Sequence, residues 1–257
     1  MRSPAHRAHA ASRIALAYGL DPVMATRALP EGMRAKLVRG KALGVVLITR
    51  FSKLRPRAWP VSIGISISTC AHAVLAQWEH AGVQRAGLCV LRSDVDSRWL
   101  GPARGLVLPG VTHSARFHIR DEGHEFEVGV HSVDGTLEVE AAGLCVPELP
   151  TSSLFRSQRE AADLLGLCGG EFVTSPGPGK LEPHSLDAEG GAVSACDLGR
   201  VRASWFEDSG PFPAGCAEFD SALVVRDLAC IWPVSQAPVG GYGRLTKIVS
   251  PTEISPA

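Results

Sequence analysis

Residues 61–69, VSIGISIST, set Val61, Ile63, Ile65 and Ile67 against Ser62, Gly64, Ser66 and Ser68. Alternation of period two predicts a strand with one apolar face and one small polar face. HEFEVGVHS (124–132) alternates likewise, with Phe126, Val128 and Val130 opposite Glu125, Glu127 and His131. ALGVVLITRF (42–51) is a continuous apolar run and suits a more buried strand. The VDG turn (Val133, Asp134, Gly135) leads into GTLEVEAAGL (135–144). Asp-Gly favours a tight hairpin, so this segment is expected to pair with 124–132. Further strands are expected at 86–92, 113–119, 192–203 and 217–231, and in the segment from 203 a strand is expected to end at Phe206.

Helical spacing is rarer. In SLFRSQREAADLLGLCGG (153–170), Ala161, Leu164, Leu165 and Cys168 recur on one helical face. Ser153 or Ser157 is the expected N-cap and Gly169-Gly170 the expected end. DPVMATRAL (21–29) has Asp21 as N-cap and Pro22 in the first turn. A helix starting near 96–106 would be interrupted by Gly101 and Pro102. TCAHAVLAQWEHAG (69–82) is helical in composition but lies between strands, and the pattern leaves both readings open. The Ala-rich residues 1–20 read as a short helix or leader, 174–183 as a Pro/Gly loop, and 236–257 as a flexible tail. With no internal repeat or compositional break, residues 1–235 are expected to form one mainly β domain.

The 257 residues are 45% hydrophobic and 20% charged, with formal net charge +0 and a pI of about 7.1. Nothing in that balance attracts nucleic acid or an anionic membrane. No apolar run reaches the ~18 residues of a membrane-spanning helix. Seven cysteines at wide spacing, without CxxC, predict free thiols in a reducing cytoplasm. The chain contains no GxGxxG, Walker A or GxSxG motif. No cofactor and no metal site is therefore expected. The expected partner is a small molecule, with homo-oligomer formation left open.

Several stretches, taken in order, carry a resemblance: LPEGM (29–33), RSDVDSRWL (92–100), LPGVTHSARF (108–117), SLFRSQREAADLLGL (153–167) and ASWFEDSGPFPAGCAEFDSALVVRDLACIWPV (203–234). Together they resemble the acetoacetate-decarboxylase-like family, a bacterial domain of unknown function, over roughly 20–235. The resemblance implies a cone-shaped antiparallel β barrel or double sheet around a central cavity. In true acetoacetate decarboxylases a Pro-Lys-Lys segment supplies a Schiff-base lysine of lowered pKa. LPGV best matches that segment, and Gly110 and Val111 stand where the lysines would be. The five lysines, Lys36, Lys41, Lys53, Lys180 and Lys247, all lie elsewhere. Decarboxylation through a Schiff base is not expected.

His113 then becomes the candidate catalytic acid or base, because period two puts it on an apolar face with Ala115, Phe117 and Ile119. Arg92, Asp94 and Arg98 form a compact charged run in which a guanidinium could hold a substrate carboxylate. Arg104 and Arg116 complete the substrate-binding candidates, although alternation places Arg116 with His118 on the face opposite His113. His72, Glu79 and His80 lack metal-ligand spacing, and Asp220 is expected to fix a turn. Two functions follow: a lyase or hydro-lyase acting on a small organic acid or carbonyl compound without a Schiff base, or a non-catalytic small-molecule-binding module.

Overall fold

The computed structural model describes residues 6–56, 64–80, 82–96, 112–177 and 180–232. In chain order the elements begin with β1 (His6–Leu20), α1 (Pro22–Ala28), β2 (Met33–Ala35), β3 (Leu37–Val38) and β4 (Lys41–Pro56). Next come β5 (Ile65–His80), β6 (Val83–Asp96), β7 (Thr112–Asp121), β8 (Glu125–Ser132) and β9 (Glu138–Val146). The chain continues through α2 (Gln158–Leu164), β10 (Gly169–Gly177), β11 (Lys180–Ala203), α3 (Ser204–Glu207) and β12 (Ala217–Trp232).

The strands form one sheet whose pairings return to their start: β5, β6, β7, β8, β9, β11, β12, β1, β4 and again β5. Pairing is antiparallel except where β6 runs parallel to β7 and to β10. The mainly β architecture expected from the sequence is the one observed. Its inner face carries an apolar cluster including Leu16, Tyr18, Val46, Val74, Val128, Val224 and Phe206. A second cluster covers the outer side, where Ala161, Leu165 and Leu167 pack on Ala15, Val45, Ala73 and Leu223.

Coverage on both sides explains two of the differences from the sequence reading. Residues 6–20 form β1 and not a helix, and 69–82, left open between helix and strand, falls largely in β5. Every residue from Arg13 to Leu20 is buried, with Leu16 and Tyr18 facing inward and Ala15 and Ala17 outward. In β5, Cys70, Val74 and Ala76 join the inner cluster, and Ala71, Ala73 and Leu75 the outer one. A strand apolar on both faces loses the alternation that reveals a strand, and small alanines there mimic a helical composition.

Local chemistry sets the turns. Asp21 Oδ1 accepts from the Val23 and Met24 amides, both at 2.9 Å, and starts α1 as expected. Ser157 Oγ accepts from the Glu160 amide at 3.1 Å and starts α2. That helix stops at Leu165, so Gly169 and Gly170 open β10 instead of capping a helix. Of the expected Pro/Gly loop at 174–183, the described residues 174–177 and 180–183 lie on strands β10 and β11, whose ladder runs through Thr174–Glu182 to Gly177–Lys180. β11 ends at Ala203, the bound expected for 192–203, while Phe206, read as a strand end, lies in α3. The Asp-Gly turn joins β8 to β9, with Gly135 at φ +71°. The proposed helix after 96 and the tail from 236 lie outside the described residues. Among the described residues no helix is long and apolar enough to cross a membrane. All seven cysteines are free thiols.

Candidate active site

Strands β5, β6 and β7 lie side by side, and their register lines up the polar residues of the inner wall. His72 opposes Arg92, Cys70 opposes Asp94, and Asp94 pairs with His113. The β5–β6 register shifts after His72, where Ala73 pairs with Val90. Such a bulge re-aims the side chains beside it, here at the point where the charged run begins.

Arg92 and Asp94 form a forked pair: Nε donates to Oδ2 and Nη2 to Oδ1, each at 2.9 Å. The Asp94 side chain is fully buried and that of Arg92 is 10% exposed. Burial disfavours the Arg92 charge, but the hydrogen bonds and field of Asp94 outweigh it and hold the guanidinium above its ordinary pKa. Its Nη1 donates to Thr136 Oγ1 at 2.9 Å, and Nη2 lies 3.7 Å from Asp134 Oδ1. Arg92 is thus a fixed cation already engaged by acidic and hydroxyl partners.

Asp134, in the β8–β9 turn, accepts from the Ser132 hydroxyl at 2.6 Å, the Thr136 hydroxyl at 2.7 Å and the Thr136 amide at 3.1 Å. These bonds hold its carboxyl well below the usual range, so it stays ionised. Its Oδ2 stands 3.5 Å from His113 Nδ1. A carboxylate at that nitrogen orients the imidazole and favours the tautomer that carries its proton on Nδ1. The turn that the sequence suggested only as a hairpin connection therefore also supports His113.

His72 is the residue the sequence reading undervalued. Its side chain is fully buried, and neither ring nitrogen has a hydrogen-bond partner among the described residues. It sits against Trp205 and Phe206, with ring centroids 5.3 and 5.8 Å away. Burial, reinforced by Arg92, pushes its pKa down to about 3, so the ring is neutral at physiological pH. A buried imidazole with two unused polar atoms costs stability unless a ligand satisfies them.

The aromatic wall comes from the segment after β11. Ser204 Oγ accepts from the Glu138 amide at 2.9 Å, tying α3 to β9. Trp205, Phe206 and Phe212 pack on one another, and Tyr18 stacks on Phe206 at 5.1 Å. Tyr18 donates to Glu207 Oε1 at 3.2 Å, and burial and that carboxylate raise its pKa. Gly44 admits this packing, since a Cβ there would lie 2.9 Å from both Leu20 Cδ1 and Phe206 Cε1.

The structure thus brings together His113, Arg92 and Asp94 from the sequence candidates and adds His72, Asp134 and Thr136. Arg116 is exposed on the outer face, as its alternation predicts. Arg98, Arg104 and the LPGV segment lie outside the described residues. Glu79 is exposed on the face opposite His72. Asp220 accepts from Ser153 Oγ at 2.9 Å, the Leu154 amide at 2.7 Å and Ser221 Oγ at 2.8 Å, which is the anchoring role expected of it. On the outer face His131, Glu138 and Glu140 bring possible metal-ligand atoms within 4.8 Å of one another. Arg202 and Arg200 already pair with those carboxylates, at 3.1 and 3.6 Å.

No protein-family model and no curated protein sequence matches the chain. Solved structures do match. An acetoacetate decarboxylase superposes with a TM-score of 0.58 at 14% identity, over 95% of this chain and 92% of the other. The acetoacetate decarboxylase of Legionella pneumophila gives 0.56 at 12% identity, over 91% and 86%. The enduracididine biosynthesis enzyme MppR, complexed with pyruvate, gives 0.52 at 12% identity, over 90% and 89%. The chain has the fold of the acetoacetate-decarboxylase-like enzymes.

Proposed function

We propose that the inner wall binds a small carbonyl compound carrying a carboxylate and catalyses proton transfer at the carbon beside the carbonyl, without a Schiff base. The observation that carries this reading is His72, a buried neutral imidazole with both nitrogens unpartnered beside a fixed cation. A neutral imidazole polarises a carbonyl by donating one N–H to its oxygen, and the low pKa keeps it from being the base. His113, oriented by Asp134, supplies the base. It takes the α-proton, negative charge moves to the oxygen held by His72, and Arg92 stabilises that charge through space. Return of the proton, or loss of a β-substituent, completes an isomerase, lyase or hydro-lyase cycle.

The spacing fits a small substrate. His72 and His113 stand on strands either side of β6 and two residues apart in register, which on a flat sheet separates their Cα atoms by about 12 Å. Among the matching structures, the MppR complex holds pyruvate.

The test is exchange of α-protons with solvent deuterium, followed by proton NMR, for pyruvate, 2-oxobutyrate and acetoacetate with the intact chain. Enzyme-dependent exchange is expected for at least one of them. Loss of His113 as alanine should cost about 10²–10⁴-fold, the usual contribution of a general base. Saturable binding without exchange would replace this reading with that of a metabolite-binding module. Absence of both binding and exchange would overturn it.

A further inference from the structure

Away from β5, β6 and β7, strands β9 and β11 carry two cysteines that no step above uses. Cys145 and Cys196 are direct register partners across the antiparallel pair. Directly opposed residues in such a pair have Cα atoms about 4.5–5.5 Å apart. A disulfide spans about 4.4–6.8 Å between Cα atoms, so the backbone already has the required separation.

The two sulfurs have different surroundings. Cys145 is partly exposed, and Arg226 directs both terminal nitrogens at its Sγ, each at 3.5 Å. The guanidinium is itself held by Asp121, with three contacts of 2.8–3.1 Å. Cys196 is 3% exposed, and burial together with its neighbour Cys145 pushes its thiol up. Reactive cysteines sit in electropositive, partly exposed surroundings, which the Arg226 guanidinium supplies at the Cys145 sulfur. The buried partner is placed to react second.

We propose that Cys145 and Cys196 form a peroxide-reactive pair, with Cys145 the attacking sulfur and Cys196 the resolving one. The Cys145 thiolate attacks one oxygen of hydrogen peroxide, the O–O bond breaks, and hydroxide leaves and is protonated to water. Cys145 is thereby oxidised by two electrons to a sulfenic acid. Cys196 sulfur then attacks Cys145 sulfur, the S–O bond breaks, and the Cys196 proton leaves with the hydroxyl as a second water. The sum is two thiols and one peroxide giving one disulfide and two waters.

The test is titration of the full-length chain with hydrogen peroxide, alkylation of the remaining thiols, and peptide mass spectrometry under non-reducing conditions. A crosslink between the Cys145 and Cys196 peptides, two hydrogens lighter than their sum, is expected before Cys168 or Cys216 is oxidised. In Cys196→Ser the reaction stops at the sulfenic acid, which dimedone traps on Cys145. In Arg226→Gln, Cys145 oxidation slows at least several-fold, while the alkylation rate of Cys216 is unchanged. Cys145 oxidising no faster than Cys216 in the wild-type chain would overturn the proposal, as would a crosslink joining any other pair.

Discussion

Hydrogen-bonding capacity left unused at His72 has a price in stability, and the price depends on pH. The ring titrates near 6.5 in the unfolded chain and about 3 in the folded one. Between those values the unfolded state holds a proton that the folded state does not, so stability falls as pH drops from 6.5 toward 3. The slope from this one group is about 1.4 kcal/mol per pH unit. His184 is also shifted down, to about 4, and adds the same sign. Comparison with His72→Leu isolates the His72 part. Leucine satisfies the apolar wall of Trp205 and Phe206 and removes two unpartnered nitrogens, for a gain of about 1–3 kcal/mol at pH 7. The gain should widen as pH falls from 6.5 to 4, as measured by urea unfolding, and carbonyl-directed activity should fall about 10²–10³-fold. A variant less stable than wild type at pH 5 would show that His72 has a partner holding it.

At the scale of elements, what the sequence made legible followed how each element is covered. Strands with one solvated face, such as β8, were readable from alternation, and Asp21 and Ser157 were readable as caps because their side chains replace missing backbone partners. β1 was read as a helix or leader, and β5 was legible as a strand only over its first residues, because further on both faces are apolar and the residues are small. His72 was obscured for the same reason: placing it inside required knowing that 69–82 is a strand. The short α3 was hidden because its role is tertiary, holding Trp205 and Phe206 against His72 through the Ser204–Glu138 bond. Gly44 gives an element-scale prediction. A methyl at that position meets Leu20 and Phe206 at 2.9 Å and forces the ring off β4. Gly44→Ala should lose about 1–3 kcal/mol, the range for overpacking a core, and should impair ligand binding at His72. Thermal unfolding and titration of the ligand found by proton exchange would check both; an unchanged Tm would show that α3 shifts freely.

Across the whole molecule, the fold is that of acetoacetate-decarboxylase-like enzymes, and the residues on its inner wall set what chemistry can be tested. β5, β6 and β7 together contain no lysine, and the pairs they do present are Arg92–Asp94 and His113–Asp134. A Schiff base needs a primary amine whose pKa is lowered by burial or a neighbouring cation. Lys41 and Lys53, on β4, are exposed and lack that environment. The consequence is measurable on the intact chain. Incubation with pyruvate or acetoacetate and sodium borohydride should leave its mass unchanged, because no imine forms for the hydride to reduce. The same reagents should leave enzyme-dependent proton exchange intact once excess borohydride is quenched, since the imidazoles are not consumed. A stable adduct on any lysine, together with loss of exchange, would return this chain to Schiff-base chemistry through a lysine outside the inner wall. Exchange that survives borohydride but disappears in His113→Ala would place the reaction on the histidines, and the fold would then support carbonyl chemistry by polarisation rather than by covalent capture.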